Sequence, residues 1–196
     1  MEAQNPGSVK PDPIRLAKCN VGEGRCQHLA HHGMRYVRRR VAAKIPEGVK
    51  CVGPFAGHAW VAREVCKTKA KECVLGDIRR KELEWALSRH KIPARVHVQD
   101  WVRTVDQEKG PDTVFLLDPP HGPLSPYRNR RGGHAENDKN YFPEIIEKCK
   151  KEGLKCVVNL PWKTGEQYCG DGVRRERHVI HQGGKDWHYL VGWINL

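Results

Sequence analysis

Along this chain, short runs of consecutive apolar residues alternate with stretches in which apolar positions recur every third or fourth residue. Met34, Val37, Val41, Ala42 and Ile45 share one helical face, with arginines on the other, and Pro46 and Gly48 end that helix. Val49 to Phe55 reads as a strand running into Ala56-Gly57-His58-Ala59. The helix after it turns Trp60 or Val61, Val65 and Cys66 inward. Glu72 to Gly76 is a second strand, closed by Asp77, and residues 79–91 form a helix with Leu83, Ala86 and Leu87 on one face. Arg95 to Gln99 is a third strand, closed by Asp100-Trp101. Val114 to Leu117 belongs to a fourth, and a helix carrying Phe142, Ile145, Ile146 and Cys149 precedes a fifth from Cys156 to Leu160. Arg177 to Gln182 and Trp187 to Asn195, around Gly183-Gly184-Lys185, predict an antiparallel hairpin.

Strands alternating with helices predict an α/β fold: a doubly wound, mostly parallel, Rossmann-like sheet with an antiparallel C-terminal hairpin. Residues 28–196 make one domain of this kind. Residues 1–27, with Pro6, Gly7, Pro11, Pro13, Gly22 and Gly24 and little periodicity, read as an irregular arm.

The fourth strand is apolar on both faces and stops at Asp118-Pro119-Pro120-His121. Two prolines cannot continue a sheet, so the chain leaves there, and Asp118 is placed at the carboxyl rim where open α/β sheets bind ligands. Asp77 and Asp100 close neighbouring strands and converge on the same edge. Gly53 and Gly57 lie in the turn after the first strand, and Asp77 follows about twenty residues later, the spacing of a carboxylate that holds ribose hydroxyls.

Composition narrows the partners. A formal charge of +12 and a pI near 9.5 point to a polyanion, with a basic surface kept for solubility as the competing reading. The acid-free cluster Arg35, Arg38, Arg39, Arg40 and Lys44 favours nucleic acid. No apolar run is long enough to span a membrane and no signal-peptide pattern opens the chain, so a cytoplasmic protein is expected. In that setting the eight cysteines are expected as thiols or metal ligands, with Cys51, Cys73 and Cys156 as small core residues. Cys19, Cys26, His28, His31 and His32 are rich in ligand atoms but match no regular zinc spacing, and no metal is expected.

The nucleoside cofactor these aspartates suggest is a dinucleotide or S-adenosylmethionine. The absence of a full GxGxxG turn counts against a pyrophosphate, and Asp-Pro-Pro counts for methyl transfer to an amine. Gly53-Pro54-Phe55-Ala56-Gly57 resembles the EPFxGxG cofactor motif of the Dam-like DNA adenine-N6 methyltransferases, and Gln99-Asp100-Trp101 resembles their aspartate–aromatic pair. Asp118-Pro119-Pro120-His121 resembles their DPPY motif, and Met34-Arg35-Tyr36 their RYxGxK segment. The resemblance spans about residues 33–196. Gly53 replaces the motif's glutamate, Ala59 its last glycine and His121 its tyrosine. About sixty residues separate Phe55 from Asp118, too few for a helical target-recognition insert.

The resemblance implies an S-adenosylmethionine-dependent transfer to adenine N6 in DNA, with cytosine N4 or an RNA base as alternatives. A nucleic-acid-binding protein on a decayed methyltransferase fold is the alternative from another class. Asp118, Pro119, Pro120 and His121 would hold the target amine and its base. Arg35, Tyr36, Pro54, Phe55, Ala56, Gly57, Asp77, Ile78, Asp100 and Trp101 would hold the cofactor. Arg38, Arg39, Arg40 and, in a loop over 122–140, Arg128, Arg130 and Arg131 would grip phosphates of double-stranded DNA. A separate specificity or restriction partner would suit an enzyme this small.

Overall fold

Seven strands form one sheet in the order β3-β2-β1-β4-β5-β7-β6. They are seen in a computed structural model that describes residues 37–57, 59–120, 140–161, 165–182 and 185–196. The strands are β1 (Lys50–Gly53), β2 (Glu72–Asp77), β3 (Arg95–Val98), β4 (Thr113–Leu117), β5 (Lys155–Leu160), β6 (Val173–Gln182) and β7 (Lys185–Ile194). β1 to β5 run parallel to their neighbours in that group, while β7 pairs antiparallel with both β5 and β6. The hairpin therefore does not simply extend the sheet: its second strand lies inside, and β6 is the edge.

Alternation along each strand divides the core between two faces. Cys51, Leu75, Val114, Leu116 and Val157 point to one. That face is covered by α1 (residues 37–44), α2 (Trp60–Thr68) and α3 (Arg80–His90). Val52, Val74, Phe115, Leu117 and Val158 point to the other, under α4 (Trp101–Glu108) and α5 (Phe142–Lys151). β4 is buried at all five positions, the central place its unbroken apolar run demands. Among the described residues no helix is long and apolar enough to cross a membrane.

α4 is the element the hydrophobic pattern does not announce. Its inward positions are Trp101, Thr104, Val105 and Glu108, so half of the buried face is polar and the apolar stripe is only Trp101, Val102 and Val105 long. Asp100 starts it, accepting a hydrogen bond from the Val102 amide at 2.8 Å. Glu108 ends it in a cluster at the amino edge of the sheet, opposite the rim that carries Asp118. There it meets Lys50, Arg95 (3.0 Å) and His97 (2.6 Å).

Burial alone would raise the Glu108 pKa, but the bonds from Lys50, His97 and Arg95 outweigh it and hold the carboxyl down at about 2. The folded value lies below the ordinary 4.5, so this stabilisation is complete above about pH 4.5 and drains away as pH falls toward 2. It amounts to roughly 3 kcal/mol. Urea unfolding midpoints should drop between pH 5 and 3, and Glu108→Gln should flatten that slope. An unchanged slope in the variant would remove Glu108 from the account of acid sensitivity.

The cysteine expectation is corrected here. Cys66 and Cys73 are joined in a disulfide between α2 and β2, with Cα atoms 5.8 Å apart. A short helix-to-strand turn brings their side chains together, a proximity that cysteine counting does not reveal. Cys51 and Cys156 are the buried thiols the apolar runs predict, and burial pushes the Cys51 thiol up to about 12. The group Cys19, Cys26, His28, His31 and His32 and the arm over 1–27 lie outside the described residues.

Candidate active site

The chain turns sharply after β1, and that turn is tied to the end of β2. The Ala56 amide donates to the Gly76 carbonyl at 2.8 Å. The Gly57 amide donates to Asp77 Oδ2 at 2.9 Å, and the Arg79 amide to Asp77 Oδ1 at 3.0 Å. Asp77 is thus buried and engaged through both oxygens, each of which keeps a second lone pair. Gly57 has φ +43°, and a Cβ built there would meet nothing within 4 Å, so its backbone faces open space. Gly76 is needed for the opposite reason: a Cβ would sit 2.8 Å from Thr104 Oγ1 and 3.3 Å from the Pro54 Cα. Ala59, where the resembling motif has its last glycine, adopts φ +52°, a conformation that glycine enters at lower cost.

Phe55 leaves this turn to stack on Trp101 at 5.5 Å, with Tyr141 edge-on at 5.7 Å. Trp101 is buried in the core and meets the site through its stack on Phe55. Asp100 is exposed and caps α4. Ile78 is 48% exposed beside Asp77. Pro54 and Pro119 are buried and Pro120 half-buried.

A cleft of about 570 Å³, part of it open solvent, lies between α1 and the carboxyl edge of β1, β4 and β5. Its walls are mainly apolar, with Val37, Val41, Leu116 and Val157 among them, and three polar side chains converge on it: Arg38, Asp118 and Asn159. The neighbouring sequence-predicted residues Phe55 and Ala56 also line it. Asp118 stands exposed at the end of β4, and the Asn159 amide donates to its Oδ1 at 2.7 Å. The pairing of Leu117 with Val158 sets these two residues level on adjacent strands.

Arg38 corrects the phosphate-binding expectation. It is 6% exposed and lines the cleft, whereas Arg39 and Arg40 are on the surface as expected. The helical period explains this, because position 38 lies one turn before Ala42 and two before Ile45, within the apolar stripe. Burial lowers the guanidinium to about 10, while Asp118, Tyr189 and Glu64 pull it back up, so it stays charged at neutral pH opposite a carboxylate.

Asn159 is the site residue that sequence reasoning missed. The signal was a polar residue at the penultimate position of an apolar strand, two before Pro161, a pattern akin to the one that singled out Asp118. Arg35, Tyr36, His121, Arg128, Arg130, Arg131 and the loop over 122–140 fall on or within stretches outside the described residues, apart from Asn140.

This sheet order, with the cleft at the point where the strand order reverses between β1 and β4, is the fold of class I S-adenosylmethionine-dependent methyltransferases. The magnesium protoporphyrin IX methyltransferase of Synechocystis PCC 6803, solved with bound S-adenosylmethionine, superposes with TM-score 0.55 at 14% identity, over 87% of this chain and 84% of that one. A precorrin-6y C5,15-methyltransferase from Geobacter metallireducens gives 0.55 at 13% identity, over 81% and 86%. An S-adenosylmethionine-dependent methyltransferase from Agrobacterium tumefaciens gives 0.54 at 13%, over 83% and 61%. No family model and no curated protein matches the sequence.

Proposed function

We propose that this chain transfers a methyl group from S-adenosylmethionine to an exocyclic base amine in nucleic acid, with adenine N6 in DNA as the first substrate to test. The observation that carries the reading is Asp118 at the rim of the central strand, oriented by Asn159 and set opposite Arg38 in an apolar cleft beside the Gly57–Asp77 turn.

These residues fit the cofactor. The open backbone at Gly57 admits a ligand close to the turn, the second lone pairs of Asp77 suit ribose hydroxyls, and the buried cation Arg38 suits a carboxylate. Phe55 supplies an apolar wall. When bound, S-adenosylmethionine provides an electrophilic methyl on sulfonium.

An exocyclic amine is a weak nucleophile because its lone pair is delocalised into the ring. Asp118 and the Pro119 carbonyl would accept its two N–H hydrogens and let the nitrogen pyramidalise toward the methyl. Most of the acceleration then comes from positioning and placed charge. The base must leave its stack to enter the cleft. The exposed Arg39 and Arg40 on α1, with Arg174 on the same face of the edge strand β6, would supply cations for phosphates in a salt-sensitive way.

The test is transfer of labelled methyl to DNA, RNA and free nucleosides, with mass spectrometry of the product nucleoside. N6-methyladenine from DNA is the expected product. N4-methylcytosine or a methylated RNA base would reassign the substrate, and absence of both transfer and calorimetric S-adenosylmethionine binding would sink the reading.

Asn159 is a positioning residue in this scheme. Removing a hydrogen bond to a charged group costs about 1.5–3 kcal/mol, so Asn159→Ala should slow transfer about ten- to a hundredfold with little change in cofactor affinity. Asn159→Asp sets a second carboxylate beside Asp118 and should give activity that recovers on mild acidification, as one carboxyl of the pair takes up a proton. A pH profile identical to the parent's would remove the contact from the mechanism.

A further inference from the structure

The Cys66–Cys73 disulfide has a counterpart on the opposite face of the sheet. Cys66 lies two residues before the end of α2, residues 69–71 make the turn, and Cys73 is the second residue of β2. Cys149 lies two residues before the end of α5, residues 152–154 make the turn, and Cys156 is the second residue of β5. Both pairs are seven residues apart, and both join the last turn of a helix to the start of the strand that follows it. The Cys149 and Cys156 sulfurs are 2.7 Å apart, and both side chains are buried.

We infer that Cys149 and Cys156 form a second disulfide, so that the chain has an oxidised form stapled on both faces of its sheet. The inference stands apart from the proposed activity. Two features of the site argue for it. Sulfurs this close need little movement to bond, and the turn between the elements already holds them there, with the Leu154 amide donating to the Cys149 carbonyl at 2.9 Å. The chain also bonds a cysteine pair at the same positions of a helix–turn–strand unit.

The oxidant is a small-molecule disulfide such as oxidised glutathione. One protein thiolate attacks it and releases one glutathione thiol. The second protein thiolate then displaces the other glutathione, so two protein thiols and one glutathione disulfide become one protein disulfide and two glutathione thiols. Burial holds the Cys156 thiol well above its usual range, so the exchange proceeds through brief opening of the helix end. The bond would fix the C-terminal end of α5, the helix whose other end follows Tyr141, an edge-on neighbour of Phe55.

The test equilibrates the folded full chain in reduced and oxidised glutathione over a range of ratios. Samples are quenched in acid, denatured and alkylated, and their peptides are mapped by mass spectrometry. A Cys149–Cys156 linked peptide is expected as the mixture becomes oxidising, in the parent chain and equally in the Cys66→Ser/Cys73→Ser variant. The oxidised parent should melt several degrees above the reduced one, and Cys149→Ala should lose the part of that shift due to this bond. If both residues stay alkylatable in the most oxidising mixture, or if Cys156 pairs with another cysteine, the inference is overturned.

Discussion

Asp118→Ala should lower methyl transfer by about a hundred- to a thousandfold while leaving S-adenosylmethionine affinity within a few-fold of the parent chain. The side chain is exposed at the rim of β4, but its charge faces the buried Arg38, so its loss should lower the melting temperature by a few degrees while the chain still folds. It removes the acceptor that would take a hydrogen bond from the amine N–H. Asp118→Asn keeps one acceptor oxygen but loses the charge opposite Arg38, and should fall between the two. Single-turnover transfer and calorimetric cofactor binding on the same preparations would check this. Parental activity in Asp118→Ala would rule out the mechanism outright.

Asp77→Ala should have the largest effect on the cofactor side, and it acts through the fold as well as the site. The carboxylate accepts from the amides of Gly57 and Arg79, and each such bond to a charged group contributes about 1.5–3 kcal/mol. Losing roughly 3 kcal/mol in a chain of this size lowers the melting temperature by roughly 6–12 °C. The Gly57 turn should loosen at the same time, so S-adenosylmethionine affinity should drop by at least about tenfold, the equivalent of 1.4 kcal/mol. Differential scanning calorimetry with and without cofactor separates the two contributions. A variant that melts and binds like the parent would show that the turn is held by something other than Asp77.

Much of the architecture was legible because the central strands β1, β2, β4 and β5 are buried on both faces and so stand out as apolar runs, unlike the edge strands β3 and β6. β4 and β5 are the clearest cases, and their proline exits marked the rim. α4 escaped because Thr104 and Glu108 occupy inward positions that a hydrophobic pattern reads as outward. Charge alone puts Arg38 on the phosphate surface, whereas its spacing from Ala42 and Ile45 puts it in the buried stripe; an arginine stem is apolar enough to lie there. Asn159 could not be joined to Asp118 without the register of β4 against β5, which is a long-range fact. The Cys66–Cys73 bond was hidden for a different reason. Expectations about the compartment favoured thiols, and the local turn geometry that overrides them is not written in residue type.

The interior position of β7 also sets an order of events during synthesis. β5 emerges with its free edge exposed, and its permanent neighbour β7 leaves the ribosome only after β6. Until residues 190–194 are available, the row of amides and carbonyls on β5 next to the candidate cleft is open to pairing with other extended chain, β6 included. Asn159 lies on that same strand, so the groups that orient Asp118 gain their final setting only when the hairpin closes. Translation speed through the hairpin, and chaperones that shield strand edges, should therefore affect the yield of competent protein.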